Sequence, residues 1–436
     1  MAQFRTDTGE FLNSNKTIYE VVMVAGQAGP STYVSSGNLN ASTDAFGRLR
    51  VSEPLTLFES THRFADNDLW AEDTTGTANS EFNSSEGCIE MNVGSSSGDE
   101  VLRETKKVFA YQPGKSLLVL GSFLFDAPKT NLRQRIGYFG SENGIYLEQD
   151  DSVVSFVLRS KVSGSVVNTS IAKADWNVDS LDGTGPSGVT LDLTKVQLLW
   201  MDYEWLGVGS VRVGFVVNGQ FIPCHVFHHA NITSSTYTTT ASLPLRQEIT
   251  NTGATSGASQ SKQICNTVNS EGGYELRGRQ NAVETSITSP YTLSTAGTYY
   301  PIVSIRLKSA RLDAIAIISA LSLLGTGNGI NFNWRIVAGG TVTTSSWTSA
   351  GTNSSVEYTI SGTAFSLGTG RILASGFFSS NNQASPQVDI LKEALFKFQL
   401  ERDSFTSTAE PLTLLISADT DTQDVYASID WEEISR

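Results

Sequence analysis

Asp202 and Glu204 lie two residues apart in WMDYEWLG (200–207), so an extended strand projects both carboxylates from one face, with Trp200 and Trp205 flanking them. Paired carboxylates beside aromatic rings suit a sugar: one can serve as acid/base and the other as nucleophile. A third carboxylate further along would complete such a layout, but Leu206, Gly207, Val208 and Gly209 follow instead. The competing reading is a solvated strand with its tryptophans packed below it. A second cluster, Cys224, His225, His228 and His229, has the residue types of a metal site. Strand alternation sets His225, Phe227 and His229 on one face and Cys224 and His228 on the other, and His225 falls opposite Arg212, whose charge opposes a cation. These are therefore expected to be structural histidines beside a small core cysteine, with no metal and no cofactor. The acidic run DTDTQD (419–424) lacks the glycine and terminal Glu of a calcium loop. GTGNG (325–329) and LDGTGPSG (181–188) have no Lys-Ser/Thr ending, so they read as turns rather than phosphate cradles.

The elements that must position these residues are strands. Leu191 to Asn231 reads as three consecutive strands with a tight hairpin, in which Val211, Val213, Phe215 and Val217 alternate with Arg212, Gly214 and Val216. Asn218-Gly219 supplies the two residues most tolerant of the positive φ of a type I′ turn. A two-residue loop pairs Val217 with Gln220, Phe215 with Ile222, Val213 with Cys224 and Val211 with Val226.

The chain has 436 residues, 17% of them charged, a formal net charge of −14 and a sequence pI of about 4.8. Nucleic-acid binding normally rests on a basic surface, so that class is disfavoured. Three widely spaced cysteines form neither a disulfide framework nor a paired zinc motif. The start, MAQFRTDTGEFLNSNK, has no basic stretch leading into an apolar one, so no secretory signal is expected. The most apolar runs, 117–125 and 314–324, fall short of the ~20 residues that span a bilayer, and no membrane insertion is expected.

The predicted fold class is all-β: an extended N-terminal arm over 1–60, a β-sandwich of jelly-roll type over 61–290 and a second β-sandwich over 291–436. The arm holds one candidate strand, 17–24, and too few apolar groups to enclose a core, which points to docking on a partner chain or on the first sandwich. Strands are expected at 107–111, 116–125, 134–139, 144–149, 153–160 and 196–205, then at 303–307, 314–324, 331–337, 355–360, 371–378, 411–416 and 425–431. The segments 179–188 and 251–263 read as loops, and KEALFKFQLER (392–402) fits either a short helix or a strand.

STDAFGRLRVSEPLTLFES (42–60), YQPGKSLLVLGSF (111–123) and WMDYEWLGVGSVRVGFVVNGQ (200–220) together resemble a family of virion structural proteins of tailed bacteriophages, notably phages of marine bacteria and cyanobacteria. The resemblance runs from about Asp44 to Asn231, with weaker echoes at PIVSIRLKSARLDA (301–314) and SSVEYTI (354–360). It implies virion location after assembly in the host cytoplasm, and it brings no catalytic residues. The expected function is a non-enzymatic exterior component of the tail, baseplate or fibre, or of the head surface, with the tail favoured. Its expected partners are copies of itself, a trimer being favoured, and other phage structural proteins. Within 42–60, Phe46, Leu49, Val51, Leu55, Leu57 and Phe58 are too apolar to be left in water, so with Arg48 and Arg50 they form the expected assembly segment. The alternative is a protein that binds or cleaves host surface glycan through Trp200, Asp202, Glu204 and Trp205. Whether those tryptophans line an open groove or are packed separates the two.

Overall fold

A computed structural model describes residues 53–275, 277–380 and 397–435. The described chain is all-β, with a few short 3-10 turns and no α-helix among the described residues. The candidate strand at 17–24 and the assembly residues Phe46, Arg48, Leu49, Arg50 and Val51 lie outside the described residues, as do residues 392–396 of the segment 392–402, whose last residue, Arg402, begins the short strand Arg402–Asp403.

The first sandwich has two antiparallel sheets. The front sheet runs in the order Gln220–Phe227, Val211–Val217, Gln197–Tyr203, Leu117–Leu124, Ser259–Ser270, Cys88–Val93, Asn79–Asn83, with Leu55–Thr61 also paired to Ser259–Ser270. The back sheet runs Val167–Ala172, Val153–Ser160, Gly144–Asp150, Leu132–Phe139, Leu245–Asn251, Glu100–Thr105, Trp70–Thr75. Alternation makes this possible: in Leu117–Leu124 every second residue, from Leu117 to Phe123, is buried and the others are half-buried. The inner faces meet in one core that includes Val119, Phe123, Tyr138, Phe156, Met201 and Phe215. Burying a large aromatic such as Phe215, which is fully enclosed, contributes roughly 1.5–3 kcal/mol each.

The second sandwich packs Ile315–Gly325, Gln423–Ser435, Arg279–Glu284 and Tyr291–Leu293 against a six-stranded sheet centred on Tyr300–Leu307, Leu412–Ala418 and Asn331–Ala338. Trp431, Phe332 and Ile305 lie in its core. A small apolar contact of Val108, Ala110, Ile315 and Ile317 joins the sandwiches.

Several details differ from the sequence expectation. Leu55–Thr61, placed in the arm, is a strand of the first sandwich, because Phe58 fills the core against Trp70 and Phe109. Arg279–Glu284, placed before the second sandwich, pairs with the C-terminal strand. The 107–111 segment is not a strand: it contributes a single bridge, Phe109 to Leu243. The expected loop at 251–263 is a loop over 252–258 only; from 259 on it is the start of Ser259–Ser270, a central strand of the front sheet. In the hairpin, Val217 pairs with Gln220 and Phe215 with Ile222, as the loop length requires, and Asn218 and Gly219 have φ of 53° and 76°. Beyond Pro223 the register shifts: Val213 pairs with His225 and Val211 with Phe227, leaving Cys224 as a bulge. Proline has no N–H for the ladder, and an extra residue beside it absorbs the break.

Candidate functional site

Gln197–Tyr203 places Leu198, Trp200 and Asp202 on the outer face of the front sheet and Leu199, Met201 and Tyr203 in the core. The strand ends at Tyr203, and 204–209 is a turn in which Leu206 and Gly207 take φ of 39° and 80°. Three groups hold it. The Tyr237 hydroxyl donates to the Glu204 carbonyl at 2.9 Å, the Leu206 N–H donates to the Tyr111 hydroxyl at 3.2 Å, and Trp205 Nε1 donates to Thr238 Oγ1 at 2.9 Å.

The two tryptophans therefore part company. Trp205 belongs to the turn and packs against the sandwich core, its ring edge-on to Tyr111. Trp200 stays on the outer face, but it is only 5% exposed; its Nε1 donates to the Phe215 carbonyl at 3.3 Å and its ring meets Phe221 edge-on. The rings do not form one platform beside the carboxylates.

Asp202 and Glu204 do line one groove, although Glu204 lies just past the end of the strand. Asp202 lies directly across the ladder from Arg212 and accepts from Arg212 Nε at 2.8 Å and from its Nη2. The other carboxylate oxygen of Asp202 is buried without a hydrogen-bond partner among the described residues. Around this pair opens a groove of about 560 Å³, lined by Lys115, Ser116, Asp202, Glu204, Ser210, Arg212, Val226 and His228. Glu271 lies beside it, its carboxyl raised by burial and by the nearby charge of Asp202. The groove can hold a polar ligand offering both donors and acceptors. The sequence reading had the acidic pair, and His228 only as a member of the metal-type cluster, but not Lys115 or Ser210. A turn over 204–209 sets Asp202 opposite Arg212, and Pro113-Gly114 turns Lys115 toward them, so the signal lay in turn chemistry rather than in any motif.

The histidines disperse. The bulge buries both Cys224 and His225, which alternation had assigned to opposite faces, and it sets Val226, not His225, opposite Arg212. His225 Nδ1 accepts from the Asn177 N–H at 3.3 Å, and its ring is edge-on to Phe227. His229 stacks on Tyr237, with ring centroids 3.9 Å apart, and its Nδ1 is 2.7 Å from the Gly209 carbonyl. Exposed His228 meets Ser210 Oγ at 3.2 Å. Burial lowers the pKa of His225 and His229 and pushes the Cys224 thiol up to about 12. No group of three His, Cys, Asp or Glu side chains among the described residues is placed to hold a metal ion. Of the described assembly candidates, Leu55 and Leu57 are half-buried and Phe58 is buried in the core.

No family model matches the chain, and none of the curated proteins matches it. Solved structures similar to parts of it include the carbohydrate recognition domain of Emp47p, at 12% identity and a TM-score of 0.31, covering 52% of this chain and 98% of that one. A β-1,3-glucanase from Mycobacterium marinum is 10% identical, with a TM-score of 0.34, covering 49% and 98%. A legume lectin-like domain from Entamoeba histolytica is 12% identical, with a TM-score of 0.27, covering 47% and 90%.

Proposed function

We propose that this chain is a non-enzymatic structural component of a tailed-bacteriophage virion, placed on the exterior of the tail or head. The observation that carries this reading over the glycan-cleaving one is the fate of the Trp200–Trp205 strand. One tryptophan is spent on the core, the other is covered, and Asp202 is held in an ion pair by Arg212. A retaining or inverting glycosidase needs two carboxylates free to act on a bound sugar ring. Here one of the pair is tied across the ladder and the aromatic platform is missing. The sequence resemblance over 44–231 supplies the virion.

The test is physical. Antibodies raised against the purified chain should decorate intact particles in negative-stain images, and peptides of the chain should appear in density-purified virions at structural abundance. Particles that lack the chain would sink the proposal. A second reading, non-catalytic glycan binding, is favoured by the groove of about 560 Å³ with its mixed charges. Saturable binding of a surface polysaccharide, abolished by Glu204→Gln with Lys115→Ala, would support it.

A further inference from the structure

The outward face of an antiparallel sandwich is ordinarily polar, because it meets water. In the front sheet part of it is not. Ladder register places Leu118 and Leu120, Leu198 and Trp200, Val216 and Phe221 on that face of four successive strands. Leu120 is level with Trp200, Trp200 meets the Phe221 ring edge-on, and Phe221 is level with Val216, so the side chains form one continuous patch. Phe221 leaves 52% of its surface in solvent while covering Trp200. Patches of this kind mark interaction surfaces.

We infer that this face is where a second copy of the chain docks. Charge favours that occupant. The patch is bordered at one end by Lys115, Arg212, Asp202 and Glu204, with Glu271 beside them, two cations and three anions. A partner of one sign would leave some of them against like charge, whereas a second copy, suitably rotated, sets cation against anion. In a chain carrying −14 overall, this is a surface of mixed sign on which two copies meet with little net repulsion. Size is compatible: the whole face, six strands from Gln220–Phe227 to Leu55–Thr61 at a spacing of roughly 4.8 Å and a length of about seven residues, has a footprint on the order of 600 Å², the apolar patch occupying its first four strands. A standard interface takes ~800 Å² per partner, within reach once side-chain relief and the groove rim are included. The inference rests on the reading of the chain as an assembly component and adds the surface it uses.

The experiment is sedimentation velocity with light scattering on the full chain at micromolar concentration, with thiol labelling alongside. Cys265, the one exposed cysteine of the three, is on this same face, level with Ser122. Wild type should have a mass of two or more copies, and Cys265 should react slowly with a bulky maleimide. Phe221→Asp should be monomeric, react fast at Cys265 and melt as wild type does, since the ring is half in solvent already. Should that variant misfold, wild type modified at Cys265 under dilute conditions provides the same test and should fail to reassociate. Phe377→Asp, at a still more exposed ring of the second sandwich, should leave the mass unchanged. A monomeric wild type overturns the inference, whether or not it binds glycan, as does a Phe221→Asp or a Cys265-modified chain that keeps the wild-type mass, or dissociation by Phe377→Asp alone. A chain present in virions yet monomeric when pure would end this inference and leave the virion assignment standing.

Discussion

On the front sheet Arg212 reaches Asp202 across one rung of the ladder, with 57% of the arginine side chain in solvent. On the back sheet Arg246 reaches Glu248 and Glu104 at the same kind of position, outward from a central strand, and is only 11% exposed. The back-sheet pair is one link in a chain of alternating charges. Glu148 meets Arg135 at 2.6 Å, Arg135 meets Glu248 at 3.2 Å, Arg246 meets Glu104 at 3.0 Å, and Glu104 meets Arg402 of the C-terminal part at 2.7 Å. Arg402 continues to Asp313, while Lys107 and Arg371 hold the buried Glu401. Arg246 also lies over the rings of Phe139 and Phe405. The two faces teach how burial changes what an ion pair does. In solvent the pair trades hydration for modest attraction, and its net contribution is about 0–1 kcal/mol. Buried charges have already lost their hydration, so the network adds little net stability as a whole, but removing one member leaves its partners uncompensated. The back face thereby ties the first sandwich to the second, and the front face leaves its arginine in solvent.

The largest expected effect is on the back face. Arg246→Ala should destabilise by about 3–5 kcal/mol, because Glu248 and Glu104 are left buried with one cation fewer each. Denaturant melts check this, and a loss under 1 kcal/mol would erase the contrast between the faces. The pH dependence sharpens it. Burial pushes the Glu248 carboxyl up, but Arg246, Arg135 and Arg159 outweigh it, and the net shift is downward. A carboxyl whose folded value is depressed contributes stability that is complete above its unfolded value near 4.5 and is lost as pH falls through the folded value. Wild type should therefore lose melting temperature below pH ~4.5 more steeply than Glu248→Gln, which has no such proton to take up.

The hairpin gives the intermediate case. Gly219 has φ of 76° and open space around its Cβ position, so Gly219→Val meets no clash and isolates backbone strain. The cost should be ~1–3 kcal/mol. Because Pro223 and the bulge at Cys224 limit the regular register to the rungs near the turn, the damage should stay local. Amide exchange should quicken at Val216, Val217 and Phe221 and stay slow at Met201; fast exchange through Gln197–Tyr203 would mean that the turn, not the core, holds the front sheet.

How much of this was legible follows the same division. Leu117–Leu124, the Asn218-Gly219 turn and Ile315–Gly325 announce themselves by apolar runs and turn chemistry. Leu245–Asn251 and Ser259–Ser270 do not, although each lies well inside its sheet. Their buried positions carry Gln247, Glu248, Ser261, Gln263 and Asn266. Gln247 Nε2 donates to Ser261 Oγ at 3.0 Å, and Arg103 Nε donates to Gln263 Oε1 at 2.9 Å, so these strands are buried through polar contacts that hydrophobic periodicity cannot see. At the candidate site the acidic pair was legible from its spacing. The separation of Trp200 from Trp205 was not, because it depends on the strand ending at Tyr203.

The smallest expected effect closes the comparison with the same substitution on the other face. Arg212→Ala removes the cation from Asp202 without burying anything new, and Asp202, still partly open at the groove, can recruit water in its place. The loss should stay within about 1 kcal/mol, several-fold below Arg246→Ala. Added salt should shrink it further, since an exposed pair is screened over a Debye length of ~8–10 Å, while the Arg246 deficit should hardly change. A salt-insensitive loss of ~3 kcal/mol at Arg212 would mean that the front-sheet pair is as desolvated as the back-sheet network. The groove would then be a structural cleft rather than a surface open to a partner.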